Sequence, residues 1–348
     1  MIWLTWRQFR TQSLAALAVL AAAAAYFLIT GTQLRHSYTA DLASCTGQND
    51  CFGVLNGLQE QYYGPLQLAE MFVLAAPAVI GIFWGAPLIA GELERGTHLM
   101  AWNQSVTRTR WLAIKLGCLT LASVLTAGVL SLLLTWWAGP LDTISGNRFA
   151  TLAFNARDVV PLGYAAFAFA LGLTLGLLLR RTLPAMALTL AVFLAVQLLV
   201  TGAVRPHLLP TTTSAVPIDQ ATMSQALRFD RSITATGPVT IDLPAPPGSW
   251  PRSETQTLDS AGRPIQTSEI LACWTKTFVG PAAASGKAGS PGFGPLGACL
   301  APEHLHVDIT YQPAGHYWLL QWIETALYTA LAALLGAVSF RWIRRFRG

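Results

Sequence analysis

The apolar residues of this chain are grouped into six long runs that contain few charged side chains. The runs are separated by more polar segments, and their apolar residues are contiguous, without amphipathic spacing. A bilayer core about 30 Å thick requires about 20 apolar residues of α-helix to cross it. The pattern therefore predicts six membrane-spanning helices, over Ser13–Thr30, Leu68–Ile89, Trp111–Trp137, Leu162–Leu179, Leu183–Val204 and Trp318–Phe340.

The polar segment between the fifth and sixth runs, residues 205–317, has a different pattern. Apolar and polar residues alternate over 239–243 and again over 304–310, which is typical of half-buried β-strands. With 113 residues the segment is too long for a simple connection. It is predicted to be a small domain outside the membrane, mainly β with long loops.

The residues before the first run, 1–12, place Ile2, Trp6 and Phe9 on one helical face. Such a pattern indicates a short N-terminal helix lying in the membrane interface. An aromatic anchor at the end of the first spanning helix is the alternative interpretation.

The distribution of arginine predicts the orientation of the spans. Charged residues make up only 11% of the chain, against roughly 25% in soluble domains. Eleven arginines fall in the segments 1–12, 90–110, 180–182 and 341–348, whereas the loops 31–67 and 138–161 hold three. Because cytoplasmic loops are enriched in Lys and Arg, both termini are predicted to be cytoplasmic in a multi-pass cell-membrane protein. The net charge of +5 then reflects contact with membrane lipid and indicates no nucleic-acid partner.

Four of the five cysteines fall in segments predicted to be outside. Cys45 and Cys51 lie in the first outer loop, and Cys273 and Cys299 lie in the segment 205–317. An oxidising compartment favours pairing of such residues. Two disulfides are therefore predicted, Cys45–Cys51 and Cys273–Cys299, with pairing between the loops or four free thiols as alternatives.

The predicted inner loop 90–110, AGELERGTHLMAWNQSVTRTR, combines two acidic residues, a Gly-Thr pair, apolar residues and a basic cluster. Leu99, Met100 and Trp102 place apolar surface on a loop that is otherwise polar, and such a surface favours a protein or headgroup partner. A solvated turn whose arginines only set the topology is the alternative.

This loop resembles the coupling-helix region of ABC-2 type permeases, in which an E-x-E-x-G-T-like motif follows the second span. The matching residues are Glu92, Glu94, Gly96 and Thr97. The opening WLTWRQFR and the closing WIRRFR are similar to a bacterial subgroup with an external domain before the last span. The resemblance implies a mainly α, polytopic membrane protein with six transmembrane helices of the ABC-2 exporter type and a small, mostly β extracytoplasmic domain.

The resemblance also implies that the chain is the permease subunit of an ATP-driven exporter. A separate cytoplasmic ABC ATPase would carry ATP and Mg²⁺, and the permease would form a homodimer or pair with a similar permease. We expect the ATPase to dock on Glu92, Glu94, Arg95, Gly96, Thr97, Leu99, Met100 and Trp102. We expect Arg108, Arg110 and Lys115 to lie near the inner membrane surface.

The chain itself has no sequence motif for nucleotide hydrolysis. A phosphate-binding loop requires G-x-x-x-x-G-K-[ST], because its backbone holds the phosphates and its hydroxyl binds Mg²⁺. The nearest match starts at Gly280, has one residue too many and carries Ala288 in place of the hydroxyl. We therefore expect no bound cofactor and no enzymatic activity without a partner ATPase.

Two carboxylates inside predicted spans, Glu70 and Glu324, are candidates for the translocation pathway, because ionisable residues in the membrane are often functional. Snorkelling to the interface is the alternative for both.

His304 and His306 share one face of a predicted strand, as metal ligands would. A strand whose polar side faces water explains the same alternation, so no metal site is predicted.

Two other functions are compatible with this sequence. One is a membrane-bound sensor or assembly protein whose external domain binds a ligand. The other is an integral membrane enzyme, which would need converging catalytic groups near one interface. A co-purifying ATPase would separate transport from both.

Overall fold

The computed structural model describes residues 2–45, 51–96, 107–146, 148–224, 228–231, 237–278 and 293–345. Within these ranges, six helices are long and apolar enough to cross a membrane, as predicted. We number them as spans one to six and call inner the side that carries the arginine-rich segments. The spans cover Leu14–Cys45, Gly57–Glu94, Thr109–Ile144, Val160–Leu179, Thr182–His207 and Ala314–Arg345.

The chain divides into two units, a membrane unit (Met1–Leu208 with Tyr317–Gly348) and an inserted unit (Leu209–His316). The membrane unit contains two π-helical turns, Gly81–Gly85 and Val200–Val204, and a 3₁₀ turn, Arg205–His207. Its α-helices are Ile2–Cys45, Cys51–Ile80, Ala86–Glu94, Arg108–Ser145, Thr151–Ala156, Val160–Leu179, Thr182–Leu199 and Tyr317–Arg345.

Several helices extend well beyond the apolar runs that predicted them. Residues 2–12 are the first turns of the helix Ile2–Cys45 and not a separate element. Helix also covers all described residues of the predicted outer loop 31–67. A helix satisfies its own backbone groups in water as well as in lipid, so hydropathy locates the membrane-crossing part of a helix and not its ends.

Span four is the most buried of the six spans and packs closely against span two. A Cβ atom added to Gly81 would lie 2.7 Å from the backbone oxygen of Ala168, and one on Gly85 would lie 2.7 Å from that of Phe169. On span four, Gly172 approaches the backbone at Gly81 in the same way. Glycine is required here because small residues let membrane helices approach at backbone distance.

The inserted unit contains the strands β1 (Thr212–Pro217), β2 (Arg228–Arg231), β3 (Val239–Asp242), β4 (Trp250–Glu254) and β5 (His306–Gln312). Among its described residues, an antiparallel sheet has the order β1-β5-β4, and β2 pairs with β3. The apolar residues of both predicted alternations are buried in one core, which contains Val239, Ile241, Leu243, Leu305, Val307 and Ile309.

The inserted unit also contains helices, Gln220–Ser224, Thr267–Phe278 and Gly294–Leu300, where the sequence analysis expected strands and long loops. In Thr267–Phe278, the residues Ile270, Cys273, Trp274 and Phe278 all contact the core. Their spacing follows the turns of a helix, which is the sequence signal for this element.

The predicted disulfide Cys273–Cys299 is confirmed, and it joins two helices of the inserted unit across 26 residues of sequence. The side chain of Cys51 lies outside the described part of the structure. The pairing of Cys45 with Cys51 therefore stays a prediction.

Candidate functional site

The acidic residues at the inner end of span two are held by two neighbouring spans. The Lys115 ammonium of span three donates a hydrogen bond to Glu92 Oε1 at 2.5 Å. Glu94 Oε2 accepts bonds from the hydroxyl of Thr182 at 2.6 Å and from its backbone N–H at 3.3 Å. Because Thr182 begins the helix of span five, Glu94 satisfies a backbone N–H that has no intrahelical partner.

The helix of span two ends at Glu94, two residues before the glycine of the motif. The backbone N–H groups of Arg95 and Gly96 donate to the carbonyls of Gly91 and Leu93, both at 3.3 Å. The Arg95 Nε–H also donates to the Gly91 carbonyl, at 3.1 Å. Gly96 has a φ of +70°, which side-chain-bearing residues rarely adopt, so a glycine here turns the chain out of the helix.

The next helix begins at a defined cap. Thr107 precedes Arg108–Ser145, and its hydroxyl accepts the backbone N–H of Arg110 at 3.4 Å. Arg110 is exposed, and the side chain of Arg108 lies outside the described part of the structure. Residues 97–106, which include Thr97, Leu99, Met100 and Trp102, also lie outside the described ranges, so their docking role stays a prediction.

Lys115 was expected near the membrane surface, but its side chain is buried inside the helix bundle. Its ammonium lies 4.5 Å from the centre of the Trp111 ring and is paired with Glu92. The Glu92 carboxylate therefore has an intramolecular partner, whereas Glu94 and Arg95 are exposed. Docking of a partner by these residues stays a prediction.

Glu70, in the outer half of span two, is buried in an ion pair and does not snorkel. Its carboxylate accepts a hydrogen bond from Arg157 Nη2, while Arg157 Nη1 donates to Asp142 Oδ1 at 2.5 Å. Arg157 follows the short outer helix Thr151–Ala156, which lies between spans three and four. Burial alone would lower the pKa of Arg157, but Asp142 and Glu70 outweigh it and hold the pKa above its usual value, so the guanidinium is charged.

Asp158, the next residue, has a backbone conformation that its surroundings hold in place. Its φ is 60°, which is uncommon for a residue other than glycine. Its backbone carbonyl accepts the Ser131 hydroxyl at 2.8 Å, and its N–H donates to Thr135 Oγ1 at 3.1 Å. Its carboxylate accepts hydrogen bonds from the Tyr317 hydroxyl at 2.5 Å and from Arg148 Nη2 at 3.3 Å. These contacts connect the outer turn to spans three and six.

Glu324, in the outer half of span six, is fully buried in a second ion pair. Arg205, at the outer end of span five, donates to both carboxylate oxygens, from Nε at 2.7 Å and from Nη2 at 2.8 Å. The Tyr164 hydroxyl of span four donates to the same carboxylate at 2.5 Å, and Asn155 accepts a bond from Arg205. Bidentate charge-assisted bonds of this kind fix geometry as well as energy. The pair therefore joins spans four, five and six to the short outer helix.

Sequence reasoning found the two carboxylates but missed both arginine partners. Arg157 was assigned to an outer loop and Arg205 to the external domain. A partner for each carboxylate could have been predicted, because a carboxylate inside a membrane needs a cation and few cations lie on the outer side. Spacing alone does not choose among Arg35, Arg148, Arg157 and Arg205.

Together these features define a multi-pass membrane protein with buried ion pairs in its outer half and a capped, motif-bearing turn at its inner end. A family model described as ABC-2 membrane transporter related matches residues 17–205, which is more than half of the chain. The chain therefore belongs to this family, which confirms the resemblance to ABC-2 permeases and supports a role as a transport permease. Membership of the subgroup with an external domain stays a prediction. Comparisons with curated proteins and with solved structures found no match.

Proposed function

We propose that this chain is the permease subunit of an ATP-driven exporter, and that a separate ABC ATPase docks on its inner segment 95–107. Family membership supports the transport role and implies partnership with an ABC ATPase in general. The observation that carries the docking site is the attachment of this segment at both ends. Glu92 and Glu94 tie its start to spans three and five, and Thr107 caps its end.

This attachment provides a mechanical route from a partner to the membrane. A partner that moves the segment pulls on span two directly, on span three through Lys115, and on span five through Thr182. Packed helices respond to such forces by rigid-body shifts between discrete arrangements. Docking that changes with ATP binding would therefore rock three spans together and open the pathway alternately to each side.

Docking energy is expected to come from the apolar residues of the segment. Leu99, Met100 and Trp102 are the apolar side chains of a largely polar loop. Interface energy concentrates in a few buried aromatic and apolar anchors. ATP and Mg²⁺ would bind on the partner, since the full sequence contains no G-x-x-x-x-G-K-[ST] motif. A homodimer, or a pair with a similar permease, would complete the pathway.

The test is co-purification of the ATPase with the tagged full-length chain. We expect an ABC ATPase to accompany the wild type and to be lost from the double variant Met100→Ala/Trp102→Ala. Trp342→Ala is the matched control, because Trp342 is an exposed tryptophan at the inner end of span six, outside the docking segment. Retention of the ATPase by the double variant at the wild-type level would contradict the proposed docking site.

The proposed orientation places both termini in the cytoplasm and the inserted unit outside the cell. A membrane-impermeant maleimide applied to intact cells should label Glu303→Cys, since Glu303 is exposed in the inserted unit. The same reagent should not label Arg95→Cys until the membrane is permeabilised. Labelling of Arg95→Cys from outside would reverse the orientation.

A further inference from the structure

A cavity of about 420 Å³ opens in the outer half of the membrane unit, between span two, span three and the short outer helix. Pockets of about 300–1,000 Å³ hold small organic molecules in proteins. Its polar wall includes Glu70, Asp142 and Arg157, and its apolar wall includes Leu66 and Leu141. The two carboxylates and the guanidinium are the same groups that form the buried ion pair of span two.

The charges at this cavity do not balance. Arg157 is paired with two carboxylates, those of Glu70 and Asp142. Arg148 lies 3.3 Å from Asp158 and only 3.9 Å from Asp142. Among the described residues, these ion pairs join three carboxylates to two guanidinium groups. By formal charge the cluster therefore carries one surplus negative charge, and a surplus charge in a largely buried cluster is costly unless a cation approaches it.

The terminal nitrogens of Arg157 at the cavity already donate hydrogen bonds to carboxylates. Its Nη1 and Nη2 groups donate to Asp142 and Glu70, so an entering anion would have to displace a carboxylate. Arg157 is 3% exposed, and its Nε–H has no hydrogen-bond partner in the described structure. The arrangement therefore favours a positively charged ligand over an anion.

We propose that this cavity binds an organic ammonium group, with its charge beside Glu70 and Asp142 and its apolar part against Leu66 and Leu141. Tyr63 also lines the cavity, and an aromatic ring stabilises an ammonium further. The ammonium could belong to a free amphiphilic amine or to the headgroup of an ethanolamine lipid. The binding site itself does not depend on the proposed export function. If the bound amine is also the exported substrate, that role rests on the proposed function.

The binding test uses the full-length chain in nanodiscs of phosphatidylglycerol, without any ATPase. Three probes share one carbon skeleton and differ in charge at neutral pH: 4-phenylbutylamine, 4-phenylbutanol and 4-phenylbutyrate. Calorimetric titration should show the amine binding at least about tenfold more tightly than the alcohol, because an ion pair in a partly buried site contributes on this scale. The butyrate should bind more weakly than the alcohol.

Two variants locate the binding in the cavity. Asp142→Asn and Glu70→Gln each remove the surplus charge and should each weaken amine binding by about tenfold, with little change in alcohol binding. Glu60→Gln is the matched control, since Glu60 is exposed on the helix of span two and does not line the cavity. The probe series on the wild type keeps the test decisive if a variant fails to fold.

Adding phosphatidylethanolamine to the nanodiscs distinguishes the two sources of the ammonium. If the lipid competes with the amine, its headgroup is an occupant of the site. If it does not compete, the occupant is a free amine. Both results support the site. Equal binding of amine and alcohol, preference for the butyrate, or wild-type amine binding by both variants would overturn it. Because no ATPase is present, these outcomes are independent of the docking test on Met100 and Trp102.

Discussion

The outer half and the inner end of the membrane unit use charged residues in different ways. In the outer half, Glu324 and Arg205 are 0% and 2% exposed and form a bidentate pair inside the helix bundle. At the inner end, Glu94 is exposed and caps the start of span five through Thr182. Both sets of charges join spans to one another, but the outer pair is buried, whereas the exposed Glu94 fixes the start of a neighbouring helix.

This difference bears on what each region contributes. Removing two charges from water costs several kcal/mol per ion, and replacing a buried pair by apolar residues is often neutral or stabilising. The outer pairs are therefore weak evidence for added stability, and they are better explained by fixed geometry or by ligand binding. The inner contact of Glu94 with Thr182 is exposed and carries little desolvation cost.

The largest expected effect is the loss of one member of the outer pair. Glu324→Leu should destabilise the chain by about 3–5 kcal/mol, because it leaves Arg205 buried without its counter-charge. The double variant Glu324→Leu/Arg205→Leu should be less destabilised than Glu324→Leu alone. The thermal unfolding midpoint of the detergent-purified chain measures both.

Arg263→Leu is the control for these outer variants, since Arg263 pairs with Asp259 in an exposed turn of the inserted unit. It should leave the midpoint of the membrane unit unchanged. A double variant that is less stable than Glu324→Leu would mean that the pair is net stabilising, and the contrast between the two ends would weaken.

The spans and strands could be predicted from the sequence, whereas the ion pairs could not. The spans followed from uninterrupted apolar runs, and the strands of the inserted unit followed from alternation around Val239 and Val307. Both are local patterns, because each depends only on whether neighbouring residues face water or an apolar environment. The motif residue Gly96 was identified by resemblance, and the structure adds its physical reason, a left-handed backbone.

The ion pairs could not be predicted because they depend on contacts between distant segments. Arg157 lies 87 residues from Glu70, and Arg205 lies 119 residues from Glu324. The burial of Lys115 was missed for the same reason, since a lysine near a helix end is equally compatible with headgroup contact. Only the packing of spans two and three brings it to Glu92.

A smaller effect is expected at the close contact of spans two and four. Gly85→Ala should destabilise the chain by about 1–3 kcal/mol, because its Cβ meets backbone that has little freedom to move. Gly117→Ala is the matched control in span three, where an added Cβ meets nothing within 4 Å. Equal unfolding midpoints for the two variants would show that spans two and four are not tightly packed.

The smallest effect on stability is expected at the inner end. Lys115→Met should cost only about 1 kcal/mol, because Glu92 is partly exposed and water can replace its lysine partner. The same variant should reduce partner-coupled ATP turnover more than Gly85→Ala does, since it detaches the docking segment from span three. A large drop in unfolding midpoint with unchanged turnover would assign this pair to folding instead.

In the proposed function, the segment between span two and span three couples the permease to an ATPase. Its most direct test is ATP turnover by the partner ATPase reconstituted with the wild-type chain or with Met100→Ala/Trp102→Ala. The double variant is expected to lose the turnover that depends on the permease while keeping the wild-type unfolding midpoint. Turnover at the wild-type level in the double variant would contradict it.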